Sequence, residues 1–289
     1  MGSHETATTW HDEPAVQVTG GHGLEAVVVP ERGGKIASLR DGRGREWLAQ
    51  PGPDLPPPAR GPVRFTDAEM CGWDECVPTV DADVLAGVDL PDHGEVWSRR
   101  WAREVEGGWG CSGTALPYEF ARGIEPTEAG LRLTYRARAT GTEPVPFLWA
   151  AHPQFVAGTG ARIVLPPEVE VVRGVYGVQP REAWTPELAE VDHVADGEAL
   201  KFWVEDDAHV GWVALERGDG SRLRLSWDPE QVPYLALWVD AGLFSRERIV
   251  ALEPSTGGRE ALSRSLSEAG GARLEPGVPL TWSLDLEVS

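Results

Sequence analysis

The chain has 289 residues, 41% of them hydrophobic and 25% charged, an ordinary globular usage that supports a sizeable core and excludes a globally disordered polymer. Its 46 acidic against 26 basic residues give a formal net charge of -20, which repels phosphate backbones and anionic lipid surfaces, so no nucleic acid or membrane partner is expected. No apolar run reaches the roughly 18 residues of a membrane span, and the opening MGSHETATTWHDEP lacks the basic and apolar regions of a signal peptide. A cytoplasmic location is therefore expected.

Residues 1–14 carry no structural pattern and are expected to be a disordered N-terminus, with a single domain over 15–289. From there short β-branched or alternating runs recur, bounded by Gly, Pro and Asp, which is a strand pattern. In chain order, examples are 24–29, 131–135, 161–165, 169–172, 211–215, 223–227, 234–239, 249–252 and 280–288. The stretch 51–62 (PGPDLPPPARGP) interrupts them, and its prolines favour an extended surface loop. One helix is predicted over 258–268 (GREALSRSLSE), where Leu262 and Leu266 stand four residues apart. Many short strands among 34 Gly and 24 Pro predict an all-β fold of packed antiparallel sheets rather than a parallel α/β sheet. No fixed-period repeat is visible, which counts against a propeller or solenoid. Cys71, Cys76 and Cys111 lack zinc-site spacing and read as free thiols, so neither a metal nor a cofactor is expected.

Three contexts stand out chemically. His93 lies in a polar turn, LPDHGEVW, where glycine gives the backbone room to bring an imidazole to a ligand. A surface-turn histidine is the plain alternative. His152 interrupts the apolar run FLWAAHPQF before a proline that must end or edge the strand, and an imidazole buried there needs a partner. A satisfied core histidine would meet that need too. Glu253 closes the apolar run IVALEP just where Pro254 and a glycine pair turn the chain, so its carboxylate can project from a sheet into a cleft, or simply sit at a surface strand end.

Taken in order, GGKIASLRDGRGREWL (33–48), GWDECVPTV (72–80), LPDHGEVW (90–97), WAAHPQF (149–155) and ALEPSTGG (251–258) resemble the landmarks of the aldose 1-epimerase, or galactose mutarotase-like, superfamily. The resemblance runs from about residue 15 to the C-terminus. It implies a β supersandwich of two large packed antiparallel sheets with an open cleft that takes a sugar. It further implies that His93 polarises the substrate, that His152 is the general acid and that Glu253 is the general base of an anomer-interconverting isomerase. The chain departs from the family pattern in its Pro153-Gln154-Phe155 run and in lacking the arginine that ordinarily precedes the first histidine; residues 72–76 occupy that neighbourhood.

Substrate contacts are expected from Trp73, Asp74, Glu75, Trp97, Gln154 and Trp238, which adjoin the motifs. Tryptophan faces, Trp149 among them, suit the apolar C–H patches of a pyranose. The substrate is then a free or phosphorylated sugar, with Arg99 and Arg100 as the candidates for a phosphate. A monomer or homodimer is expected. A non-catalytic carbohydrate-binding or sensor protein of the same fold is the competing reading, and a β-sandwich domain of a polysaccharide lyase or glycoside hydrolase a third.

Overall fold

The computed structural model describes residues 4–61, 63–104 and 107–289. Two antiparallel sheets dominate the described residues, one of twelve strands and one of eight. The larger runs, edge to edge, through Glu5–Trp10, Glu13–Thr19, Glu25–Val29, Lys35–Arg40, Trp73–Cys76, Ala150–Pro153, Ile249–Ser255, Tyr234–Asp240, Ala199–Val204, Val171–Tyr176 and Glu182–Ala183, with Phe155–Val156 also paired to Ile249–Ser255. The smaller is ordered Arg162–Val164, Trp212–Glu216, Arg222–Trp227, Leu280–Val288, Gly130–Ala139, Tyr118–Pro126, Trp109–Ser112 and Ala102–Arg103.

Side-chain alternation explains why these segments are strands. In Leu280–Val288, Trp282, Leu284, Leu286 and Val288 are buried, while Thr281 and Glu287 face water. Across the outer face of the smaller sheet, Asp285 stands opposite Arg132 in register and accepts two hydrogen bonds of 2.7 Å from it. The inner faces meet in one continuous apolar core that extends from Val18 to Val288. At its centre Tyr135 and Trp282 stack at 5.3 Å, with Trp149 tilted against both. Ile249–Ser255 behaves differently, being buried at every position. It lies in the middle of the larger sheet and is covered on both faces, which is why its sequence reads as a continuous apolar run.

Two expectations need correction. Residues 5–14 are not disordered: Glu5–Trp10 and Glu13–Thr19 form an antiparallel hairpin at the sheet edge, with Glu5 opposite Val18 and Trp10 opposite Glu13. Trp10 packs with Ala15, Val29 and Ala37, a hairpin that short polar strands conceal from a search for apolar alternation. Residues 1–3 lie outside the described residues. The helix over 258–268 shrinks to Leu262–Arg264 running into a wide π-type turn, Ser265–Ala269. Ahead of it the Ser265 hydroxyl bonds both the N–H and the carbonyl of Arg259, at 3.0 Å each, and holds 258–261 as a loop. The proline-rich stretch is irregular, as expected of a loop, although Leu55 packs on the Trp10 cluster and the Pro56 carbonyl accepts from Arg32 at 2.8 Å. Pro62 lies outside the described residues. Cys71 and Cys76 are buried, Cys111 is half-buried, and all three are free thiols; burial pushes Cys71 up to about 12. No helix among the described residues is long and apolar enough to cross a membrane.

Candidate functional site

A cavity of about 390 Å³ opens on the face of the larger sheet that points away from the smaller one, and among its lining residues are His93, His152, Gln154, Lys201, Trp238, Glu253 and Glu260. Three elements bring the two imidazoles and the late carboxylate together. Glu253 comes from the central strand, with Ala236 as its cross-strand partner. His152 comes from the adjoining Ala150–Pro153, opposite Asp74. The turn after Val88–Leu90 supplies His93, whose backbone sits at a left-handed φ of 58°. Few residue types adopt that conformation, and where they do it often marks a functional turn. The His93 N–H donates to the Val80 carbonyl at 2.6 Å and so fixes the turn against the segment that follows Trp73–Cys76.

The imidazoles meet edge to face at 5.0 Å, and Phe65 stacks on His93 at 4.0 Å and 7°. His93 Nδ1 approaches Asp92 at 3.1 Å without the alignment of a hydrogen bond. His152 Nε2 lies 3.9 Å from Glu253 Oε1, too far for a direct hydrogen bond. Among the described residues neither that oxygen nor His152 Nδ1 has a hydrogen-bond partner, although both atoms are buried. The other Glu253 oxygen accepts from Lys201 Nζ at 2.8 Å. Lys201 also stands 3.1 Å from Glu260 Oε2, and Trp203 Nε1 donates to Glu260 Oε1 at 2.7 Å.

Burial controls the charges. It raises Glu253 above its ordinary value; Lys201 pulls the other way, and Glu260 adds to the rise. Burial, with the neighbouring His93, Lys201 and Lys35 behind it, holds His152 well below 6.5. For Lys201 burial favours the neutral amine, but the carboxylates of Glu253 and Glu260 outweigh it and keep the ammonium charged.

The expected substrate contacts divide. Gln154 and Trp238 line the cavity. The Gln154 amide, turned so as to satisfy both groups, bonds the Met70 carbonyl at 3.0 Å and the Cys71 N–H at 3.1 Å. Trp238 stands between Tyr176 and Phe244, with ring centroids 5.9 and 5.8 Å away. Trp73, Asp74, Glu75 and Trp97 do not line it. Trp73 and Glu75 alternate to the opposite face of their strand and enter the inter-sheet core. There Glu75 pairs with Arg122 at 2.6 Å and accepts from Trp149 Nε1 at 2.7 Å and Tyr135 at 3.1 Å, so Trp149 is a core ring as well. Asp74 shares the face of His152 but is taken up by the buried Lys35 ammonium, which also donates to the Cys71 carbonyl at 2.8 Å. Trp97 lies behind Phe65, edge-on at 5.0 Å. Arg99 is bound to Glu95 at 2.6 Å and Arg100 to Glu31 at 2.7 Å, and neither lines the cavity.

Lys201, Glu260, Asp81, Phe65, Tyr176 and Phe244 also line the cavity without having been anticipated. A signal existed for the first: lysine occurs only at 35 and 201, each time inside an apolar strand, in a chain that otherwise uses arginine. Phe65 had none, since it reaches His93 from the loop that follows the proline-rich stretch.

A large antiparallel β supersandwich with a cavity lined by two imidazoles and a carboxylate on one sheet face defines the class. No family profile matches this sequence, and no curated protein matches it either. Solved structures do. A galactose mutarotase-like protein from Clostridium acetobutylicum is 17% identical with a TM-score of 0.71, covering 99% of this chain and 97% of its own. One from Lactobacillus casei is 15% identical at TM-score 0.70, covering 95% and 100%. A candidate aldose 1-epimerase from Escherichia coli is 16% identical at TM-score 0.68, covering 99% of each chain. The chain has the galactose mutarotase-like fold.

Proposed function

We propose that this chain is an aldose 1-epimerase-like isomerase that interconverts the anomers of a free, uncharged sugar. The observation that carries the reading is the 3.9 Å separation of His152 Nε2 from the unpartnered Glu253 Oε1 inside the cavity, with His93 beside them. Set side by side, the two atoms can take the two oxygens of one hemiacetal, the C1 hydroxyl and the ring oxygen.

In this reading Glu253 takes the proton of the C1 hydroxyl. The C1–O1 bond becomes a carbonyl, the bond from C1 to the ring oxygen breaks, and His152 delivers a proton to that oxygen. Rotation about C1–C2 and the reverse transfers close the ring on the other face. His93 donates a hydrogen bond that orients the sugar, and Trp238 offers it an aromatic face. Each proton transfer typically contributes about 10² to 10⁴ in rate.

The substrate should be neutral. Asp81, Glu253 and Glu260 line the cavity against a single ammonium, Lys201, which two of them already engage. A phosphate would find no free cation among these groups.

Polarimetry on freshly dissolved α-glucose and α-galactose, with and without protein, tests the reading. Acceleration of either sugar supports it. Binding without acceleration across a broad sugar panel would favour a non-catalytic carbohydrate-binding protein of the same fold.

The protonation states make a further prediction. The reactive form needs Glu253 ionised and His152 charged, while burial pushes the former above 4.5 and holds the latter below 6.5. Activity should fall as pH drops through the Glu253 value and as pH rises past that of His152. The maximum of a pH–rate profile is therefore expected on the acid side of 6.5. A maximum above neutrality would remove His152 as the acid.

A further inference from the structure

We infer that Lys201, anchored by Glu260 and Trp203, is a positioning residue that clamps one oxygen of Glu253 and leaves only the other free to act as the base. The inference rests on the proposed isomerase reading and adds a part that the sequence motifs do not contain.

The geometry is a chain of four side chains on the two strands that flank Tyr234–Asp240 and on the loop after Ile249–Ser255. Trp203 Nε1 donates to Glu260 Oε1 at 2.7 Å, Glu260 Oε2 lies 3.1 Å from Lys201 Nζ, and Lys201 Nζ donates to Glu253 Oε2 at 2.8 Å. Strand register builds it. Lys201 pairs with Trp238 and Trp203 with Ala236, while Ala236 pairs in turn with Glu253. Lys201, Trp203 and Glu253 therefore project from one sheet face, within two strand spacings of about 4.8 Å each. The side chains of Glu253, Lys201 and Glu260 are 1%, 11% and 10% exposed, so the charges act on one another with little screening by water.

Two consequences follow. A carboxylate at the end of three rotatable bonds is reduced to one orientation, in which Oε1 points at His152. The ammonium also stabilises the ionised carboxylate against its burial and against the like charge of Glu260. Lys201 itself is kept from acting as an acid by the same two carboxylates. The other titratable groups near Glu253 are His93, His152, the buried Cys76 thiol and, beyond Glu260, Asp81.

The test is the pH dependence of kcat for anomerisation in wild type, Lys201→Met, Lys201→Arg and the double variant Lys201→Met/Glu260→Gln. Loss of the ammonium should shift the acidic limb to higher pH and lower kcat on that limb by at least about tenfold, with a smaller change in KM. Lys201→Arg, which keeps charge and donors, should restore part of the rate. The double variant removes the excess buried charge and so protects the fold, yet should keep the displaced limb. A merely structural lysine would lower Tm without moving the profile. If wild type accelerates anomerisation and the limbs of folded Lys201→Met or the double variant superimpose on it, the positioning role is wrong while the isomerase reading stands. If wild type accelerates no sugar, the isomerase reading falls and the inference with it.

Discussion

His93 reaches the cavity only because its turn takes two consecutive left-handed residues, His93 at φ 58° and Gly94 at φ 69°. A side chain at Gly94 would run into the backbone of Val77, with which Gly94 forms a parallel bridge. Gly94→Ala should therefore destabilise the protein by about 1–3 kcal/mol or more and withdraw the imidazole from the cavity. Urea unfolding would register the first effect, and a larger fall in kcat than in Tm-matched variants the second. An unchanged unfolding midpoint would mean that the turn relaxes freely. At this scale the positions were legible: a histidine before glycine, a histidine inside an apolar run and a glutamate at a strand end each break the local pattern, and the three side chains line one cavity. What one-residue reading could not supply was the partner of each charge. Lys201 is 52 positions from Glu253 in sequence, and only strand pairing brings them together.

Among the elements, Trp73–Cys76 shows how a period of two decides roles. Its four side chains alternate, Trp73 and Glu75 toward the inter-sheet core and Asp74 toward the face that carries His152. Proximity to the motifs in sequence suggested that all three would touch substrate. The pleat sends two of them the wrong way, and Lys35 captures the third. Glu75 instead joins the sheets: with Arg122 it forms a buried pair on strands of different sheets, at 2.6 Å and with both side chains at most 1% exposed. Arg122→Leu should cost about 3–5 kcal/mol, because it leaves the Glu75 carboxylate buried without its countercharge. Denaturant unfolding reads this directly, and a loss under about 1 kcal/mol would show that Tyr135 and Trp149 suffice to hold that carboxylate. Strands with a regular apolar alternation, such as Leu280–Val288, were legible, whereas Tyr118–Pro126, whose buried positions include Ala121 and Arg122, was not singled out. The N-terminal hairpin was not, since its burial is confined to a few positions such as Trp10, Ala15 and Val18. Nor was the length of the turn at 262–269, which a serine bonding back to Arg259 determines.

Over the whole molecule, a net charge of -20 and a carboxylate-rich cavity act in the same direction. Both raise the free energy of an anionic ligand, and the long-range part is screened by salt. Sugar phosphates and uronic acids should therefore show lower kcat/KM than the matching neutral aldose, with the gap narrowing as ionic strength rises. Equal values at low salt would show that the cavity field is neutralised. The two-sheet architecture is what makes such a site possible, because twelve strands in one sheet bring together, across its middle, residues from three well-separated parts of the chain. The proposed anomerisation requires the carboxylate at 253 to act as the base between those strands. Exchange NMR on C1-labelled glucose or galactose at anomeric equilibrium measures the step without product removal or coupling enzymes. Wild type should show exchange between the α and β signals well above the buffer rate, and Glu253→Gln, with its fold intact by circular dichroism, should lose about 10² to 10⁴ of it. Exchange in the folded Gln variant at the wild-type rate would contradict the assignment.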